Sequence, residues 1–187
     1  MARWLRVLVP GSVFYLFVCS VQFLLWPTQQ DVARIYDFSV LMGFEFILNP
    51  LGLMLFAFSR WWLGKVGVLL FFSGFILAFQ MMLIDASTMT YLVAGLLLSH
   101  FVIVRPVSEE EGQRVLGIYA GRIMLYFFAL MFCAMASSLL PPFGLDQPYL
   151  DAVDYDGLKK HGGLMLDQPH ISMWIGVLYF GGISVAY

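Results

Sequence analysis

The 187 residues are 61% hydrophobic, 17% aromatic and only 12% charged, whereas a soluble domain is about half apolar and about a quarter charged. So many apolar side chains exceed what one small core can hide, which argues against a water-soluble enzyme or a disordered regulator. Ten basic against twelve acidic residues leave a formal charge of −2, so no polybasic surface offers itself to nucleic acid.

A helix needs about 20 predominantly apolar residues to cross the ~30 Å hydrocarbon layer. Six stretches are candidates: residues 7–26, 38–58, 66–84, 89–104, 118–140 and 171–187. The first follows Arg3 and Arg6, as a signal peptide would. It is longer than the usual h-region of about 7–15 residues and no A-x-A site follows it, so it reads as an uncleaved first span. Trp26-Pro27 closes it, Arg60 the second, Asp85 the third, Arg105-Pro106 the fourth and Pro141-Pro142 the fifth. The fourth is the shortest. The fifth helix is expected to start before its span, where Ser108 and Glu111 form a capping-box pattern. From there to Leu140 is ~48 Å at 1.5 Å per residue.

Basic residues near spans favour the cytoplasmic side. With the N-terminus inside, that side carries Arg3, Arg6, Arg60, Lys65, Arg105, Arg114 and Arg122, against Arg34, Lys159 and Lys160 outside. Trp4, Trp26, Trp61, Trp62 and Trp174 fall near span ends, where an amphipathic ring prefers the headgroup layer. The expected fold class is therefore an all-α integral membrane protein. It is a bundle of six transmembrane helices, N-in and C-in, forming one transmembrane domain with a longer outer loop at 143–170. A bacterial cytoplasmic (inner) membrane is the expected location.

Glu45 is the residue most suggestive of function, because an acid placed in hydrocarbon normally faces protein or water. Asn49 lies one turn further on the same face, and Pro50 then removes a backbone donor. Asn49-Pro50-Leu51-Gly52 reads as a weakened or kinked stretch, and Gln80 on the third helix reaches a similar depth. Glu45, Asn49 and Gln80 are thus expected to form a polar intramembrane station, either an ion or proton site beside a broken helix or a hydrogen-bonded glue between helices.

Other candidates are weaker. His100 has no histidine partner at its level, which disfavours a bis-histidine haem. His161 and His170, with nearby aspartates, are metal candidates at the outer surface, although solvated loop residues are the plainer reading. Asp151, Asp154, Asp156 and Gly157 depart from a calcium loop in spacing and lack its bidentate Glu, so a solvated acidic loop or docking surface is expected. The eleven methionines read as apolar filling rather than a copper path. Cys19 and Cys133 form no redox or zinc motif. The tetrapeptide Leu-Asp-Gln-Pro, at 145–148 and 166–169, suggests a pair of matching turns.

Packing signals are stronger. Ala129, Cys133 and Ser137 recur every four residues, Gly117 and Gly121 form a GxxxG, and Gly74 with Ala78 repeats the spacing on the third helix. Such stripes let another helix approach closely. The expected function is a non-catalytic structural or accessory subunit of a larger membrane protein complex. Its expected partners are the lipid bilayer and other membrane subunits, with bound lipid, no catalytic residue and no cofactor. The alternatives are a minimal transporter or channel using the Glu45 station, and a metal- or quinone-associated electron-transfer subunit.

Overall fold

A computed structural model describes residues 2–57, 61–84, 109–160 and 162–186. The expected fourth span at 89–104, with His100, the Ser108 cap and His161, lies outside the described residues. Those described are mostly helical and contain no strand, so the all-α class stands.

Helix α1 (Ala2–Leu25) ends where Trp26 and Pro27 interrupt it. A single 3₁₀ turn (Gln29–Asp31) then reverses the chain. The Asp31 carboxylate accepts from both the amide and the hydroxyl of Thr28, at 3.1 and 2.6 Å, satisfying donors that a helix start leaves open. Helix α2 (Val32–Ala57) follows and runs through Pro50. The expected weak point is an unbroken helix, since proline removes one bond and not the whole ladder. Helix α3 (Trp62–Met82) stops at an extended Leu83, and Ile84 N donates to buried Asp37 of α2 at 2.8 Å. Helix α4 (Glu109–Met135) gives way to turns before Pro141-Pro142. It starts in the first turn expected for it and stops short of Leu140.

Residues 143–160 and 162–168 form a folded cap on one end of the bundle rather than an open loop. It contains three short helices, α5 (Gln147–Ala152), α6 (Tyr155–Leu158) and α7 (Leu164–Asp167). Leu145, Tyr155 and Leu166 are buried, and the Tyr155 ring packs on Tyr36 of α2. Tyr149 Oη donates to the Thr28 carbonyl at 2.8 Å, and Gly144 N to that of Leu24 at 3.0 Å, latching the cap to the α1–α2 junction. The repeated tetrapeptide makes two different turns. Asp146 caps the start of α5 by accepting from Tyr149 N at 3.0 Å. Asp167 instead ends α7 and accepts from Gly163 N, while Pro169 opens the next helix, a position that suits its fixed φ.

That next helix, α8 (Pro169–Ala186), fills the centre and packs against α1, α2 and α4. Ile171, Met173, Ile175, Tyr179, Phe180 and Ile183 are all buried. Glycines let it come close. A Cβ at Gly176 would meet Ser20 and Phe38, one at Gly181 would meet Phe17, and one at Gly182 would lie 2.8 Å from Leu125.

The periphery is apolar as well. Phe14, Tyr15 and Val18 of α1, Leu70, Phe71 and Leu77 of α3, and Phe127, Phe128 and Phe132 of α4 are exposed. Among the described residues, one helical stretch, Gly112–Met135, is long and apolar enough to cross a membrane. Val13–Leu25 and Pro169–Val185 are shorter apolar helices.

Candidate functional site: a buried charged cluster between three helices

Three helices converge on the polar groups of the interior. Glu45 and Asn49 stand one turn apart on α2, Arg122 comes from α4 and Tyr179 from α8. Their exposures are 3, 2, 8 and 3%, so none of them is solvated. Antiparallel packing of α2 against α4 sets the register. Tyr126 Oη donates to the Met42 carbonyl, and one turn away along each helix Arg122 reaches the level of Glu45. The guanidinium and the carboxyl attract one another electrostatically.

Tyr179 closes the cluster. Its hydroxyl donates to Asn49 Oδ1 at 2.8 Å and lies 3.5 Å from Glu45 Oε2. Because a hydroxyl carries one hydrogen, it serves the amide and the carboxylate in competition. Asn49 Nδ2 is buried and makes no hydrogen bond. The Tyr126 ring packs edge-on against Tyr179, with centroids 5.1 Å apart, and Tyr119, also buried, lies within the field of Arg122. Among the described residues, the result is a guanidinium, a carboxyl, three phenols and one amide, enclosed by apolar side chains.

Of the expected station, the structure brings Glu45 and Asn49 together. Gln80 lies on α3, and its side chain is outside the described residues. Arg122 and Tyr179 were not foreseen as members. By its place in the sequence Arg122 is one of seven basic residues flanking the spans. Buried in the bundle, it leaves six against three, and the bias keeps its sign. The signal was present in the sequence, because Arg122 falls inside the run 118–140.

The small-residue stripes divide. Ala129 and Cys133 are buried and Ser137 is half-buried, on a helix that packs against α2 and α8. Gly117 and Gly121 are exposed, and an added Cβ would meet nothing within 4 Å at either. Gly74 is equally open.

The cap carries ordinary surface electrostatics. Lys159 Nζ bridges Asp156 at 2.6 Å and Asp167 at 3.1 Å. These partners, the Asp156 hydrogen bond foremost, raise the affinity of Lys159 for its proton. The Gly163 amide, with help from Lys159, holds the Asp167 carboxyl below its usual range. Lys160 Nζ donates to the Leu83 carbonyl at 2.9 Å, tying the cap to the end of α3. His170 is half-buried at the start of α8. Burial lowers its affinity for a proton, partly offset by a hydrogen bond to the Ser137 backbone. Among the described residues, no group of three or more His, Cys, Asp or Glu side chains comes together to hold a metal.

Comparison of the chain with protein-family models, with curated proteins and with solved structures found no match. The functional reading therefore rests on the residues and their geometry.

Proposed function

We propose that the chain is a multi-pass membrane protein with six crossings and both ends on the cytoplasmic face, in a membrane of the bacterial inner type. We propose further that it acts as a non-catalytic structural or accessory subunit of a larger membrane complex. The observation that carries this reading is the division of its surfaces. Asp37, Glu45, Asn49 and Arg122 of the long helices are buried, while aromatic and aliphatic side chains cover the outside of three helices. Water-soluble monomers rarely expose contiguous apolar patches of that extent. The Gly112–Met135 stretch, ~36 Å long by its rise per residue, is only 24% buried within the molecule. A core helix of a soluble protein would be mostly enclosed. Exposed Trp26 at the cap end and exposed Trp61 and Trp62 at the α2–α3 turn suit two headgroup layers.

The test is extraction from the native membrane in mild detergent, followed by mass spectrometry of what elutes together. Stoichiometric membrane partners are expected. A monodisperse bundle eluting alone would overturn the subunit reading, and recovery of the protein in detergent-free buffer would overturn the membrane reading.

One observation favours a second reading, a minimal transporter with its station at Glu45. It is the unpartnered Asn49 amide beside a buried acid, Glu45, with the buried Arg122 guanidinium near enough to act on its charge. Breaking such a pair is strongly destabilising, and replacing it by apolar residues is often neutral, so a pair kept in an apolar interior is a candidate for function. Glu45→Gln should then abolish a flux measured in proteoliposomes, and an unchanged flux would remove Glu45 from any pathway.

A further inference from the structure

We infer that the junction of α1 and α2 holds the headgroup of a zwitterionic, amine-bearing phospholipid of the cap-side leaflet, with Arg34 on its phosphate. The inference rests on the membrane reading, gives one lipid contact its place and headgroup class, and is independent of the buried cluster.

Arg34 stands in the first turn of α2, with its side chain 57% exposed. Its nearest acid is Asp31, whose Oδ1 lies 3.7 Å from Nη1, too far for a hydrogen bond. The other oxygen of Asp31 already accepts from the amide and the hydroxyl of Thr28. Among the described residues the guanidinium makes no hydrogen bond, so its fork of five donors is open. In bulk water such a side chain would simply be solvated. Beside the exposed Trp26 ring that follows α1 it faces the headgroup layer, where the acceptors are lipid phosphates. A planar fork meets phosphate oxygens two at a time.

A track for an acyl chain lies beneath. Tyr15, Val18, Gln22 and Trp26 are exposed and recur at helical spacing, so they line one face of α1 from the junction into the apolar zone. Arg34 lies beside this face, close enough to act electrostatically on Tyr15 and Cys19. Charge then selects the headgroup. The cap carries five aspartates against two lysines, and it is latched to this junction by the bond from Tyr149 to the Thr28 carbonyl. A lipid of net negative charge would meet that acidic surface uncompensated. A zwitterionic one brings its own cation, with phosphate on Arg34 and ammonium toward the aspartates. A primary ammonium also donates hydrogen bonds to carboxylates, which a quaternary one cannot. The lipid is thus of the ethanolamine type.

The test is native mass spectrometry of the purified full chain in detergent, with phosphatidylethanolamine, phosphatidylglycerol or phosphatidylcholine of matched chains added in turn. A one-to-one adduct is expected, several-fold more populated with phosphatidylethanolamine than with either of the others. Arg34→Gln should weaken it about tenfold through the loss of charge-assisted hydrogen bonds. Arg34→Lys keeps the charge without the fork and should fall between. Arg114→Gln, which changes an exposed arginine near the far end of α4 from the cap, should leave the adduct unchanged. Because Arg34 is exposed and loosely paired, its variants should keep the wild-type circular dichroism. Glycerophosphoethanolamine, the same headgroup without chains, should not displace the lipid. An Arg34→Gln protein that retains the lipid in full would overturn the site. Phosphatidylglycerol or phosphatidylcholine held as strongly would overturn the headgroup class, and displacement by the chain-free headgroup would overturn the track on α1. In each of these cases a protein that still needs detergent keeps the membrane reading; a chain that stays dissolved once detergent is removed would overturn that reading and the lipid site together.

Discussion

Gly176→Ala is the sharpest test of the packing. The new Cβ would lie 3.0 Å from Phe38 Cε1 and Cζ and closer still to Ser20 Oγ, where ordinary contact begins near 3.4 Å. Neither neighbour can yield. Ser20 Oγ is held by its hydrogen bond to the Leu16 carbonyl at 2.7 Å. The Phe38 ring stands edge-on between Phe23 and Phe180, with centroids 6.1 and 6.3 Å away. Overpacking a closed site costs about 1–3 kcal/mol, and rigid neighbours place this one near the top of that range. The better helix propensity of alanine offsets up to about 1 kcal/mol, leaving a net loss of about 2 kcal/mol. The assay is SDS-driven unfolding in mixed micelles, followed by far-UV circular dichroism. Gly121→Ala supplies the control, since nothing lies within 4 Å of its added methyl, and it should be neutral or slightly stabilising. Adding Ser20→Ala to Gly176→Ala should recover about 1 kcal/mol by removing the nearest atom. Equal stability of the Gly176 and Gly121 variants would refute the central packing of α8.

Three further outcomes are expected. Tyr179→Phe removes the donor to Asn49 Oδ1 and leaves that oxygen buried and unpaired, a loss of about 1–3 kcal/mol; adding Asn49→Leu should restore part of it in the same unfolding assay. Gly144→Ala would push a Cβ against the rigid Pro27 ring and to 3.0 Å from the Leu25 carbonyl, so amides of residues 143–150 should exchange faster while the helices keep their protection. The third concerns His170, which burial holds below its ordinary value of about 6.5. The folded state thus binds its proton less readily than the unfolded one. The sign follows from linkage: the contribution of His170 is fully present above about pH 6.5 and is lost as pH falls through the folded value. His170→Gln should flatten that acid-side slope, and a slope that persists would assign it elsewhere.

Much of the architecture was legible because apolar runs and proline or charge boundaries are one-dimensional signals. The end of α1 at Trp26-Pro27 follows from them directly, whereas α4 gives way to turns after Met135, short of the Pro141-Pro142 boundary. Glu45 and Asn49 were legible as a pair because 3.6-residue periodicity puts both on one face. Their partners were not. Periodicity gives the position of a residue along its helix, whereas contact depends on which helices are neighbours and how each is rotated. Depth alone points to Gln80. Arg122 was assigned to a flank because charged residues usually bound apolar runs, yet α4 begins at Glu109, which places Arg122 well inside the helix. The cap was hidden for another reason. Helices of four to six residues span barely a turn, too short for periodicity to register, and the burial of Tyr155 depends on Tyr36, more than a hundred residues earlier.

The position of α8 in the chain has a consequence for assembly. The element that occupies the middle is synthesised after every helix it joins. Until residue 169 has been made, Phe38 and Tyr126 lack the rings of Phe180 and Tyr179 that pack on them, and the hydroxyl that donates to Asn49 does not yet exist. The earlier helices can meet through the packing of α2 on α3 and α4, and the arrival of α8 is what fastens α1 to them.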